Sequence, residues 1–125
     1  MRLAGRREKG QAAEQAAARH LLREGFTVVD RNARSKLGEV DIVAVKGDEL
    51  HFVEVRSRTE GAAISPRETI GARKRRRFDL AAETYLRGKR LASAAVRYDV
   101  AEVWLDQQGR PARVELLIGA FGGRK

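Results

Sequence analysis

The feature that most restricts how this chain can fold is a pair of alternating, β-branched runs joined by a short turn. Gly38-Glu39-Val40-Asp41-Ile42-Val43-Ala44-Val45 and Leu50-His51-Phe52-Val53-Glu54-Val55-Arg56 flank Lys46-Gly47-Asp48-Glu49. Gly-Asp is a favoured two-residue hairpin turn, and the flanking alternation is that of antiparallel strands. With Lys46 and Glu49 bracketing the turn, the numbers of paired residues sum to 95, and a four-residue loop keeps the same register. Asp41 is then expected opposite Glu54, and Glu39 opposite Arg56. Opposed side chains on adjacent strands have Cβ atoms roughly 5 Å apart, and like charges there destabilise a sheet. Two carboxylates kept in that position are expected to share a cation.

Side chains alternate between the faces of a strand. Glu39, Asp41, Val43 and Val45 should therefore share a face with Leu50, Phe52, Glu54 and Arg56, while Val40, Ile42, His51, Val53 and Val55 face the other way. One face carries charge at one end and apolar residues at the other, the pattern of a site at the edge of a core. His51 lies on the wrong face to join it and reads as a partly buried structural histidine. Paired carboxylates are hard oxygen ligands suited to Mg²⁺ or Mn²⁺, with positions left for water and phosphate oxygens. A metal held so can polarise a phosphodiester and lower the pKa of an attacking water. Glu14, at the edge of the first helix's apolar stripe, could complete the ligand set or could simply solvate its helix. A purely structural alternative is a Glu39–Arg56 salt bridge beside a solvated Asp41.

Bulk properties bound the rest. The chain has 125 residues, enough for one core and too few for two of ordinary size. Residues 1–9 read as a basic, flexible N-terminus, 10–120 as a single domain and 121–125 as a tail. There is no cysteine, so disulfides and thiolate metal sites are excluded. No apolar run approaches the roughly 20 residues of a membrane span. A cytoplasmic protein that does not engage a membrane is the expectation. Lys and Arg number 26 against 17 Asp and Glu, a net charge of +9, which points to a polyanionic partner.

Along the chain, Gly10–Glu24 reads as a helix with Ala13, Ala16, Ala17, Leu21 and Leu22 on its apolar stripe, and Gly25 as its C′ residue. Phe26–Asp30 reads as a short strand and Arg31–Lys36 as a polar, basic connection. After the hairpin of residues 39–56, residues 57–65 read as a mobile loop. Ser65-Pro66-Arg67-Glu68 has a capping-box pattern, opening a helix that runs to about Arg87 with Ile70, Phe78, Ala81, Ala82, Tyr85 and Leu86 inward. Gly71 weakens its first turn. Val96–Leu105 and Ala112–Ile118 read as strands around a turn at residues 106–111. The order α-β-β-β-α-β-β predicts an α/β sandwich, a central mixed sheet flanked by helices.

Arg73-Lys74-Arg75-Arg76-Arg77 is the densest basic run. Five successive residues sweep more than one helical turn, so some should project beside the sheet toward the carboxylates. With Arg34, Lys36 and Arg58, and also Arg31, they could line a phosphate-binding groove. One Trp, two Tyr and four Phe, mostly at core-like positions, argue against a base-stacking platform and for backbone recognition.

Glu14-x-x-Ala17, Leu21 and Gly25, Asn32-Ala33-Arg34, Gly38-Glu39-Val40-Asp41-Ile42-Val43 and Phe52-Val53-Glu54-Val55-Arg56-Ser57-Arg58 follow one another in order, as do Lys74, Ala81-Ala82, Tyr85-Leu86 and Arg97-Tyr98-Asp99-Val100. In these blocks the chain resembles the YraN-like family of uncharacterised bacterial proteins, predicted members of the PD-(D/E)XK nuclease superfamily. It is more distantly similar to archaeal Holliday-junction resolvases. The resemblance spans about Gly10 to Val103. It implies a restriction-endonuclease-like fold and a divalent-metal-dependent endonuclease acting on DNA, with branched DNA one such substrate. It implies Asp41, Glu54 and Glu14 as ligands of Mg²⁺ or Mn²⁺, and a homodimer. Arg56 stands where that superfamily has its catalytic lysine. Arginine stays protonated and cannot act as a base, but it can clamp a phosphate. Catalysis by Asp41, Glu54 and Arg56, substitution by another lysine such as Lys74, and an inactive nucleic-acid-binding protein of the same fold all remain open at this point. A protein-interaction adaptor with a basic docking helix is a further alternative.

Overall fold

The computed structural model describes residues 6–61, 71–90 and 95–120, with side chains from residue 10 onward. The elements run α1 (Arg6–Arg23), β1 (Thr27–Ser35), β2 (Gly38–Lys46), β3 (Glu49–Thr59), α2 (Ala72–Gly88), β4 (Ala95–Leu105) and β5 (Pro111–Leu117), the order expected from sequence. The strands form one sheet in the order β1-β2-β3-β4-β5. β3 and β4 are parallel, with α2 in the connection between them, and every other neighbouring pair is antiparallel.

Two apolar layers hold the helices to the sheet. Ala13, Ala17, Ala18 and Leu21 of α1 pack with Ile42, Ala44, Val53, Ala101 and Val103 on one face. Phe78, Ala81, Ala82 and Leu86 of α2 pack with Val43, Leu50, Phe52, Val96 and Val100 on the other. Removing such surfaces from water supplies roughly 25 cal/mol per Å². Alanines dominate the α1 contact, so that helix can lie close to the strands. Leu22, expected on the stripe, is 59 % exposed, because the helix's buried arc ends at Ala18 and Leu22 lies beyond it. α1 ends in a Schellman motif: Phe26 N donates to Leu21 O (2.9 Å) and Gly25 N to Leu22 O (3.2 Å), with Gly25 at φ +93.

Four boundaries differ from the sequence-based expectation, the first being that of α1, which begins at Arg6 rather than Gly10. β1 extends through Arg31–Ser35, which reads as a connection in the sequence, and pairs β2 as far as Ser35↔Gly38. It is an edge strand, half exposed along its length, so polar side chains suit it and no apolar alternation marks it. β3 continues to Thr59 because β4 supplies a parallel partner all the way to Thr59↔Leu105. Ser57–Thr59 is therefore strand, not loop. In the described residues α2 begins immediately after Gly71. The Ser65–Glu68 capping box and Ile70 lie outside the described residues. The β4–β5 turn is organised by Asp106, whose Oδ1 accepts from the amides of Gln108 and Arg110, each at 2.9 Å.

Candidate active site

The β2–β3 register is the one the turn dictates: Lys46↔Glu49, Val45↔Leu50, Ala44↔His51, Val43↔Phe52 and Ile42↔Val53 all sum to 95. The ladder stops there, one pair short of Asp41 and Glu54. Beyond it the strands have different partners, since Gly38–Val40 pair only β1 and Glu54–Thr59 only β4. Counted from Lys46↔Glu49, the next hydrogen-bonded pair would be Val40 with Val55. Instead the Asp41 carboxylate takes that donor, with Val55 N donating to Asp41 Oδ2 at 2.8 Å. Alternation breaks at the same point. Val40, expected on the α1 side with Ile42, packs in the α2-side core with Val43.

This fork opens a cleft of about 300 Å³ lined by Glu14, Glu39, Asp41, Glu54, Lys74 and Arg77, with Gly10, Val55 and Phe78 completing its wall. α1 contributes Glu14, β2 Glu39 and Asp41, β3 Glu54, and α2 Lys74 and Arg77. Asp41 and Glu54 thus face one cavity. Burial and the Glu54 charge push the Asp41 carboxyl up to about 7, with smaller contributions from Glu14 and Glu39, against the lowering effect of the Val55 hydrogen bond. Glu54 is buried and has Lys74 Nζ at 3.0 Å from its Oε1 and Arg56 Nε at 3.7 Å. No ion pair involves Asp41 among the described residues.

Glu14 and Glu39 form a second carboxylate pair at the rim. Oriented with its amide nitrogen toward them, Asn32 donates to Glu39 Oε1 (3.2 Å) and Glu14 Oε1 (3.3 Å). Asn32 sits at φ 54, a left-handed conformation that asparagine tolerates better than most residues. Arg31 Nη2 lies 3.8 Å from Glu14, and Arg34 Nε 3.0 Å from Glu39 Oε1. The expected opposition of Glu39 and Arg56 does not occur, because β2 has left β3 by that point. Glu39 pairs Arg34 on β1, and Arg56 lies beside Glu102 of β4.

The other candidate residues divide by distance from the cleft. Arg56 does not line it; its side chain is 17 % exposed and its Nε has no hydrogen-bond partner among the described residues. Arg58 is half-buried two residues further along β3. Arg34, Lys36, Arg73, Arg75 and Arg76 are exposed. His51 is outside the site: it is buried on the α1 side, with Nδ1 2.6 Å from Asp99 Oδ2 and its ring edge-on to Phe26. The sequence places Glu39 on the charged face of Asp41 and Glu54 but gives no sign of Asn32, which bridges Glu39 and Glu14 at the rim. An asparagine at a left-handed position within a strand leaves no periodic signal.

The donor set is hard oxygen throughout. Among the described residues no three Asp, Glu or His side chains are arranged as a ready-made metal cage. Mg²⁺ sites commonly need only one or two carboxylates, with water and substrate phosphate supplying the rest. The Lys74 ammonium on Glu54 occupies the kind of position a cation takes, so Asp41 and Glu54, with Glu14 nearby, fit such an ion.

The profile of the family described as "Uncharacterised protein family UPF0102" matches residues 13–103. A UPF0102 protein of Moorella thermoacetica is 46 % identical over 116 residues, covering 93 % of this chain and 97 % of that protein. One from Anaeromyxobacter dehalogenans is 44 % identical over 119 residues, covering 95 % and 87 %. Another, from Pseudomonas paraeruginosa, is 40 % identical, covering 94 % and 95 %.

Proposed function

The chain belongs to the uncharacterised protein family UPF0102, and for it we propose a divalent-metal-dependent endonuclease that hydrolyses phosphodiester bonds in DNA. The observation that carries this proposal is the pair of half-buried Asp41 and buried Glu54, set in one cleft at the fork of β2 and β3. Such a pair is costly unless a cation joins it, and a polymer with phosphate oxygens could reach it through the open side of the cleft. Bound Mg²⁺ or Mn²⁺ would polarise the phosphodiester and acidify the attacking water. Asp41 and Glu54 would hold the ion. Glu14 would add a ligand directly or through water, its carboxylate steadied by Asn32. The net charge of +9 and the exposed Arg73 and Arg76 on the helix that walls the cleft suit a polyanionic strand. No described helix is long and apolar enough to cross a membrane; the cytoplasmic location we propose follows from the DNA substrate alone.

The test is cleavage of a labelled four-way junction, linear duplex and single strand with Mn²⁺ or Mg²⁺ at low salt, using wild type, Asp41→Ala and Glu54→Ala. Metal-dependent cutting lost in both variants is expected. Cutting that survives both would refute the site. A second function, a non-catalytic nucleic-acid binder, is favoured by one feature: Arg56 stands at the position where the nuclease superfamily that the chain resembles carries lysine. Tight binding by all three proteins with no cutting would select it.

A further inference from the structure

We propose that Lys74 is the catalytic cation of this cleft, contacting the scissile phosphate, while Arg56 serves only to offset the charge of Glu54 from within the sheet. This rests on the metal-dependent hydrolysis proposed above and assigns a residue that hydrolysis requires. A phosphodiester under attack gathers negative charge on its non-bridging oxygens, and a fixed cation beside them lowers the barrier. Among the described residues, Lys74 and Arg77 are the cationic side chains lining the cleft, and Arg56 is not one of them.

Their burial separates the two side chains near Glu54. Lys74 is 52 % exposed while its Nζ lies 3.0 Å from Glu54 Oε1, so the ammonium is at the mouth, open to an incoming strand. Arg56 is 17 % exposed, with Nε 3.7 Å from the same oxygen. An ammonium has three donors. Lys74 can keep Glu54 and still donate to a phosphate oxygen.

The position of Lys74 is set by backbone contact rather than by its own flexible stem. A Cβ on Gly38 would lie 2.3 Å from Arg77 O, so only glycine lets α2 approach β2 this closely. Phe78, buried beneath, fixes the rotation of the helix. Lys74 and Arg77, separated by i,i+3 spacing, share a face, which the Gly38 contact turns toward Glu39 and Asp41. In the reaction the water oxygen bonds to phosphorus, the bond from phosphorus to the leaving sugar oxygen breaks, and the water proton passes to solvent or to that oxygen. Lys74 neither gains nor loses a proton; it holds a non-bridging oxygen throughout.

The experiment compares wild type, Lys74→Ala, Arg56→Ala and the relocated double variant Lys74→Ala/Arg56→Lys in three assays. These are single-turnover cleavage with Mn²⁺, binding of a phosphorothioate-blocked duplex in Ca²⁺, and Mn²⁺ affinity without DNA. Lys74→Ala should slow cleavage about 100-fold and Arg56→Ala no more than about 5-fold. Blocked-duplex affinity should fall about 10-fold for Lys74→Ala alone. Mn²⁺ affinity should be retained or tightened in Lys74→Ala, because an ammonium competing for Glu54 is gone. The double variant should stay as slow as Lys74→Ala, because position 56 does not line the cleft, and recovery of the rate by Arg56→Lys would count against the assignment. Equal or greater damage from Arg56→Ala, or loss of Mn²⁺ binding in Lys74→Ala, would overturn the assignment. If wild type binds but never cuts, hydrolysis fails as the function and the Ca²⁺ arm alone decides the phosphate contact. If it neither binds nor cuts, both fall.

Discussion

Replacing Asp41 by Asn should stabilise the metal-free protein while removing its response to metal. The Asp41 carboxyl is pushed from 3.8 to about 7, first by burial and then by the charge of Glu54. A carboxyl raised on folding binds more protons in the native state than in the unfolded one, so its contribution to stability falls as pH climbs from about 4 to about 7 and then levels off. Each pH unit in that window is worth about 1.4 kcal/mol. Asparagine has no charge to desolvate, and its carbonyl oxygen can still accept from Val55 N, which now donates to Asp41 at 2.8 Å. The stability advantage of Asp41→Asn should therefore grow by on the order of 2–3 kcal/mol between pH 5 and pH 8. Urea unfolding in EDTA at the two pH values reads this directly, with unchanged slopes confirming that only stability has moved. Adding Mn²⁺ should raise the wild-type midpoint by mass action and leave the variant's in place. A pH-independent difference, or a variant less stable at pH 8, would refute the electrostatic account of the Asp41–Glu54 pair.

Gly38→Ala should cost about 1–3 kcal/mol in denaturant unfolding, because the new methyl meets the Arg77 carbonyl; Gly10→Ala, with open space around its Cβ, should instead stabilise α1 by up to about 1 kcal/mol. Asp106 is held below the usual carboxylate range, first by the Arg110 amide and also by the Gln108 amide and the Arg110 charge. Its support of the β4–β5 turn should be present above about pH 4 and fade as pH falls through its lowered pKa, and Asp106→Ala should speed amide exchange at Gln108 and Arg110 near neutral pH while flattening that acid dependence. Duplex binding should weaken log-linearly with salt, and Arg73→Ala or Arg76→Ala should each reduce the slope by about 1 if its side chain meets a phosphate; unchanged slopes would remove α2's exposed face from the interface.

The local code of this sequence was enough for the β2–β3 register, because a Gly-Asp turn and period-two alternation act between neighbours in the chain. It was also enough for the Schellman end at Gly25 and for the inward residues Phe78, Ala81, Ala82 and Leu86 of α2. It failed where partners come from far away. The Arg31–Ser35 half of β1 is polar and is strand only because β2 lies beside it, and Ser57–Thr59 is strand only because β4 runs parallel to β3. Asp41 and Glu54 were legible as neighbours, yet the sequence placed them on a continuous ladder. The tertiary structure forks that ladder, since β2 and β3 are claimed by different outer strands, and the Asp41 side chain takes the Val55 amide in place of a backbone partner. The delivery of Lys74 and Glu14 from opposite layers was decided the same way. A helix reports which of its faces is apolar, but what its polar edge will meet depends on how closely the backbones dock, here at Gly38 and along the alanines of α1.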